Sequence, residues 1–200
     1  MNRYLENILY FPLYLFIWLH SLLPFWVLYI LSDILFLLVY YVVGYRRKVV
    51  YGNMRNSFPD RGEKEIYRME RAFYRHFCDY IVETIKLLHI SDATTKHRFV
   101  MENTEVLQRA IDERRQVILM LGHYGNWEYI PSITLWVDYP QDAVMGELYR
   151  PLKNRWFNNF FLKLRSRYKT VNIPKNDVLR EFIKFRRDKR PAVIGFMADQ

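Results

Sequence analysis

From Ile8 to Tyr45 the chain has no Lys, Arg or Glu, and apart from tyrosines only His20 and Asp33 can ionise. A run this apolar has to leave water, either into a protein core or into lipid. Pro24 divides it. The second part, Phe25 to Val43, has nineteen residues, close to the roughly 20 that cross a bilayer core. The first part, Ile8 to Leu23, bears Pro12 and His20 and reads as a helix lying at the interface. Trp18, Trp26, Tyr40 and Tyr41 suit the headgroup level, and Arg46, Arg47 and Lys48 follow at once. By the positive-inside rule these cations hold the remaining chain on the cytoplasmic side. A signal peptide has its basic residues before the apolar core and small residues at a cleavage site. Here the basic cluster comes after, and no such site occurs. A monotopic anchor and a buried helix pair are the alternatives to a full span, and Asp33, costly in lipid, is expected to face protein. Residues 1–45 are therefore expected to be a membrane anchor, and 46–200 a soluble domain.

The soluble part alternates helical and strand patterns. Residues 46–56 read as a basic connector, and Asp60 as the cap of a helix over 63–89. The stripe Ile66, Met69, Phe73, Phe77, Tyr80, Ile81, Ile85 and Leu88 gives that helix one core face. His76 and Cys78 lie on it and read as structural; a lone cysteine excludes an internal disulfide. Further helices are expected over 103–115, capped by Asn103, and over 127–137, 151–167 and 176–187. Strands are expected over 116–121, 143–149, 169–173 and 192–197. Such alternation predicts an α/β fold, a mostly parallel sheet flanked by helices, with the N-terminal anchor attached. An α/β sheet rarely finishes on an apolar strand without a covering helix, so more sheet is expected beyond Gln200.

The first of these strands, Val117 to Leu121, reads as buried and delivers His123-Tyr124-Gly125-Asn126-Trp127-Glu128. Loops at the carboxyl ends of parallel strands are where such folds keep their chemistry. Residues five apart on a regular helix point ~140° away from each other. His123 and Glu128 can therefore meet only across a turn, for which Gly125 supplies backbone freedom. The carboxylate would fix the imidazole tautomer, leaving the second nitrogen to deprotonate an alcohol. Donors in the Gly125-Asn126 turn would steady an oxyanion. A second His-x4-Glu match, His97 to Glu102, has polar surroundings, no glycine and no preceding strand, and reads as accidental. The paired histidines of a zinc protease, the clustered glycines of a dinucleotide site and a Gly-x-Ser-x-Gly elbow are all absent. No metal or cofactor is expected.

Charge is concentrated. Residues 150–190 hold fourteen Lys or Arg against three acids, and the rest of the chain is slightly acidic. This is either a solvated face or a surface for an anionic partner. Aromatics in the stretch, such as Trp156, Phe157, Phe160 and Tyr168, sit at helical spacing and read as packing inward, which disfavours nucleic acid.

The block His123 to Glu128 resembles the His-x4-Asp/Glu signature of the glycerolipid and lysophospholipid acyltransferase superfamily. Its Gly-Asn-Trp-Glu form resembles the bacterial lipid A late acyltransferases, which add secondary lauroyl or myristoyl chains. Asn53-Met-Arg-Asn-Ser-Phe58-Pro59-Asp60, Leu148-Tyr149-Arg150-Pro151-Leu152-Lys153-Asn154 and Ala198-Asp199-Gln200 resemble further blocks of that family, in the same order. Tyr124 stands where a Phe is common. The resemblance implies direct transfer from an acyl thioester on acyl carrier protein, less often on coenzyme A, to a hydroxyl of a lipid A precursor. It makes His123 the general base and Glu128 its orienting partner. It puts Arg150 near the acceptor phosphate or the oxyanion, and Asp199 near the acceptor pocket, with Gly125 and Asn126 in the substrate site. It also implies residence at the bacterial inner membrane, and a fold that continues past Gln200, so that 46–200 would be an incomplete acyltransferase domain. Two other readings stay open: a lysophospholipid, glycolipid or aminolipid acceptor, and a non-catalytic basic module on a membrane anchor.

Overall fold

A computed structural model describes residues 3–199, with side chains from Ile8 onward. It divides into two packed units, one made of residues 13–89 and one of 1–12 with 90–200.

The 13–89 unit is all helical. Helix α1 (Arg3–Leu22) runs through Pro12 and ends before Pro24, whose extended backbone starts α2 (Phe25–Leu37). The chain continues through π-helical turns over Leu38–Val43 until Gly44, at φ 62°, caps them in the left-handed region. Phe25–Val43 is long and apolar enough to cross a membrane, with a mean hydropathy of 2.1 and 22% of it buried. Trp26, Ile30, Ile34 and Leu37 leave an apolar face exposed. Asp33, expected to face protein, lies exposed beside them; Ser32 turns inward instead and donates to Asp79 Oδ1 at 2.6 Å. The expected connector over 46–56 is a helix, α3 (Arg47–Ser57), and α4 (Glu63–Lys86) follows. Gly62, not Asp60, occupies the cap position of α4.

The buried stripe of α4 is Ile66, Glu70, Tyr74, Cys78 and Val82, one position round from the one read through Met69 and Phe73. Phe73 is 42% exposed. The rotation follows from Glu70, which is drawn inside to meet Arg47. Phe36, Tyr40, Tyr74 and Cys78 form the core around it. Each large apolar side chain buried there contributes about 1.5–3 kcal/mol. Burial pushes the Cys78 thiol up to about 11, which leaves it inert near neutral pH.

In the second unit, α5 (Asp92–Arg98) and α6 (Thr104–Asp112) precede a four-stranded sheet. Its strands are β1 (Gln116–Leu121), β2 (Val144–Tyr149), β3 (Val171–Pro174) and β4 (Ala192–Met197), in the order β1-β4-β2-β3, all parallel. Helices α7 (Arg155–Arg165) and α8 (Val178–Arg187) connect β2 to β3 and β3 to β4. Central β4 is covered on both faces. Val193 joins Ile111, Ile133, Val137 and Met145 on one side, and Ile194 joins Val144, Ile173 and Phe185 on the other. The fold class is thus α/β with a parallel sheet flanked by helices, as the alternation of patterns predicts. Strand β1, read as buried, is an edge strand: Val117 and Leu119 pack on the core while Ile118 and Met120 are 53% and 66% exposed. The helix expected over 127–137 is a 3₁₀ segment over Trp127–Leu135. Asn103 does hold the cap position of α6, but its own left-handed backbone, φ 55°, leaves the side chain without a cap hydrogen bond.

Candidate active site

Strands β1 and β4 are hydrogen-bonded neighbours, and Leu121 stands opposite Met197. The pairing runs one step further, Ala198 N–H donating to Leu121 O at 2.9 Å. Two residues past each strand end lie His123 and Asp199, so the register brings them together. The His123 backbone N–H donates to Asp199 Oδ2 at 2.6 Å, and its Nδ1 stands 2.6 Å from Oδ1. Both side chains keep solvent access, 30% for the imidazole and 44% for the carboxylate. The backbone N–H first, and the imidazole second, hold the Asp199 carboxyl below its usual range, so it is ionised near neutral pH. An ionised acid on Nδ1 fixes the tautomer in which Nε2 accepts protons.

The intervening turn explains the glycines. Tyr124 N–H donates to Gly122 O at 2.8 Å, reversing the chain directly after β1. A Cβ on Gly122 would stand 3.3 Å from Asp199 Oδ2, so glycine leaves room for the acid. Gly125 has φ 59°, where a side chain costs roughly 1–2 kcal/mol. Asn126 Oδ1 accepts the Glu128 N–H at 3.2 Å and caps the 3₁₀ segment. The Trp127 indole stands edge-on to the imidazole, ring centroids 4.9 Å apart.

Glu128 does not hold the imidazole. The hydrogen bonds His123 makes among the described residues go to Asp199, and the expected bond from Glu128 is replaced. The Glu128 side chain is only 3% exposed, and its carboxylate receives a two-pronged bond from Arg165, the last residue of α7: Nε at 2.9 Å and a terminal nitrogen at 2.7 Å. The physical reason is desolvation. A buried carboxylate needs a full counter-charge, and a guanidinium fork satisfies both oxygens where a neutral imidazole would satisfy one. Arg165 Nε also stands 3.6 Å from Glu147 Oε1 on β2. Burial pushes Glu147 up to about 7; Arg165 pulls it down and Glu128 pushes it further up. Glu147 lines a small cavity of about 20 Å³ with Ile130, Thr170 and Gly195, room for about one water molecule.

Arg150 follows β2 directly, exposed at the same carboxyl edge of the sheet. Among the described residues no group of three or more His, Cys, Asp or Glu stands where it would hold a metal ion. Sequence reasoning missed Arg165 and Glu147. Arg165 was one basic residue among fourteen. The His123–Asp199 pair did leave a trace, because each residue lies seven positions after the start of its strand, Gln116 and Ala192.

The fold is thus a parallel α/β sheet whose carboxyl edge holds a histidine against an ionised aspartate. The chain belongs to the bacterial lipid A biosynthesis acyltransferase family, whose model matches residues 2–200. It is accordingly an acyltransferase. No curated protein matches it.

Proposed function

We propose that the chain transfers a fatty acyl group from a thioester on acyl carrier protein to a hydroxyl of a lipid A precursor, with His123 as general base. The observation that carries this reading is the 2.6 Å contact of His123 Nδ1 with an ionised Asp199 at the solvent-open edge of the sheet. His123 Nε2 takes the proton of the acceptor hydroxyl as its oxygen attacks the thioester carbonyl. The carbonyl oxygen becomes the oxyanion of a tetrahedral intermediate. Its collapse expels the thiolate, which takes the proton back from the imidazolium. Asp199 stabilises that imidazolium. Glu128, clamped by Arg165, fixes the start of the 3₁₀ segment and with it the Gly125-Asn126 turn. Arg150 is the candidate for the acceptor phosphate or the oxyanion.

The same reading attaches the protein to the bacterial inner membrane through the apolar face of α1 and α2, with the sheet unit on the cytoplasmic side, where acyl thioesters are found. The surplus of basic residues over 150–190 suits both a phosphorylated acceptor and an acidic carrier protein.

The test is acyl transfer from acyl carrier protein to a lipid A precursor, read by lipid mass spectrometry. His123→Ala should lose roughly 10²–10⁴ in rate. Asp199→Asn should lose a comparable factor, because the wrong tautomer is then favoured. Retained activity in His123→Ala would sink the base assignment. If deletion of the gene leaves lipid A unchanged while another acylated lipid disappears, the acceptor is a lysophospholipid, glycolipid or aminolipid.

A further inference from the structure

An open cavity of about 550 Å³ lies in the 13–89 unit, lined by Gly44, Arg46, Arg47, Lys48, Tyr51 and Tyr67, with Glu70 at its base. We infer that Arg46 and Lys48 bind the phosphate of an anionic phospholipid headgroup in this cavity. The inference rests on the membrane attachment proposed above and assigns that attachment a specific lipid contact.

The charge in the cavity decides what it takes. Glu70, with a side chain 1% exposed, is the one acid in its lining and is already committed. Arg47 donates to its two oxygens at 3.0 and 3.3 Å and to Tyr40 Oη at 3.0 Å, with the guanidinium 4.0 Å from the Tyr40 ring centre. That pair neutralises itself. Arg46 and Lys48 are exposed and make no ion pair among the described residues, so two positive charges face the space. The Tyr51 and Tyr67 rings, 5.2 Å apart, form an aromatic wall. Tyr51 has only a long 3.4 Å bond to Glu63, leaving its hydroxyl able to turn to a better acceptor.

The rim decides which phosphate. The cavity opens at the end of the Phe25–Val43 segment, and Tyr41, Val42, Val43 and Tyr45 beside it are 50–75% exposed. A free phosphate ester has no use for that apolar border. A phospholipid satisfies both, with acyl chains along the segment and phosphate against Arg46 and Lys48. The volume is in the range of small-molecule sites, and basic residues next to a bilayer surface favour anionic lipid.

The experiment uses the full chain purified in detergent and mixed with equal amounts of phosphatidylglycerol and phosphatidylcholine. Native mass spectrometry counts the lipid adducts. The wild type should retain phosphatidylglycerol preferentially. The double variant Arg46→Gln, Lys48→Gln should lose that preference by roughly 25-fold, about fivefold per charge. Arg61→Gln with Arg68→Gln, the originals 57% and 80% exposed and outside the cavity lining, should change it less than twofold. Equal adducts of the two lipids on the wild type would overturn the site, as would an equal loss in this control pair, which would mean diffuse attraction. Glycerol 3-phosphate stripping the phosphatidylglycerol adduct from the wild type at the lipid's own concentration would assign the cavity to a free ester. Membrane attachment is read separately, by carbonate extraction of cell membranes. Release of the wild type there overturns attachment while leaving the adduct measurement to stand or fall alone.

Discussion

Among the described residues each unit sets an arginine against a buried glutamate, Arg47 on Glu70 and Arg165 on Glu128, and the two are balanced differently. In the helical unit Arg47 meets a single carboxylate, Glu70, and the remaining donor goes to a neutral phenol, Tyr40. In the sheet unit Arg165 is shared between Glu128 and Glu147. One cation for one anion is complete at any pH where both are charged. In the sheet unit burial above all keeps the proton on Glu147 up to about pH 7; Arg165 opposes this, and the neighbouring Glu128 charge adds the smallest part. The difference teaches that a guanidinium holding one acid is a static tie, whereas one shared with a second, buried acid sits in a cluster that titrates mainly because that acid is dry.

The sharpest way to break this comparison is Arg165→Met. It strands both Glu128 and Glu147, and should cost about 3–5 kcal/mol at pH 8 in urea unfolding, less at pH 5. Arg47→Met strands only Glu70. Its cost should be smaller, about 2–3 kcal/mol, because the arginine is 36% exposed and part of its contribution is already screened. If the two variants cost the same, the shared-cation account is wrong. Glu147→Gln should instead stabilise. Its carboxyl titrates near 4.3 when unfolded and about 7 when folded. The folded state therefore holds more protons across that window, and stability falls as pH rises through it. Glutamine removes the loss, so the gain should be about 3–4 kcal/mol at pH 8 and fade toward pH 4. A gain that does not vary with pH would refute the titration. Gly125→Ala touches neither cluster and should cost only about 1–2 kcal/mol through its left-handed backbone. Its effect on acyl transfer should exceed its effect on melting temperature.

Much of the fold was legible because its signals are local. The bounds of β1 and β4 follow from short apolar runs between polar residues, and Pro24 marks a helix boundary by backbone restriction alone. Helix α3 was not legible: Gly52, Asn53 and Asn56 lower its helix propensity, and its contacts with α4, Arg47 on Glu70 and Tyr51 on Tyr67, are between residues distant in sequence. The rotated stripe of α4 has the same origin. At the candidate site, His123 and the turn were readable from the strand and Gly125. The identity of its acid was not, because Glu128 satisfies the same spacing and only the sheet order makes Asp199 the neighbour. Edge exposure of β1 was hidden for the same reason, since an apolar run does not reveal which strands lie beside it.

The histidine and the aspartate are 76 residues apart along the chain. Two strands, two α-helices and two 3₁₀ segments lie between β1 and β4 and have to be laid down before β4 can slot in beside β1. Closing so long a loop is slow and entropically uphill until the sheet rewards it. A newly made or partly opened chain thus carries an imidazole with no acid to tune it. Only the docking of β4 against β1 brings the carboxylate to the imidazole, so the pair is assembled by the sheet and not by either loop alone.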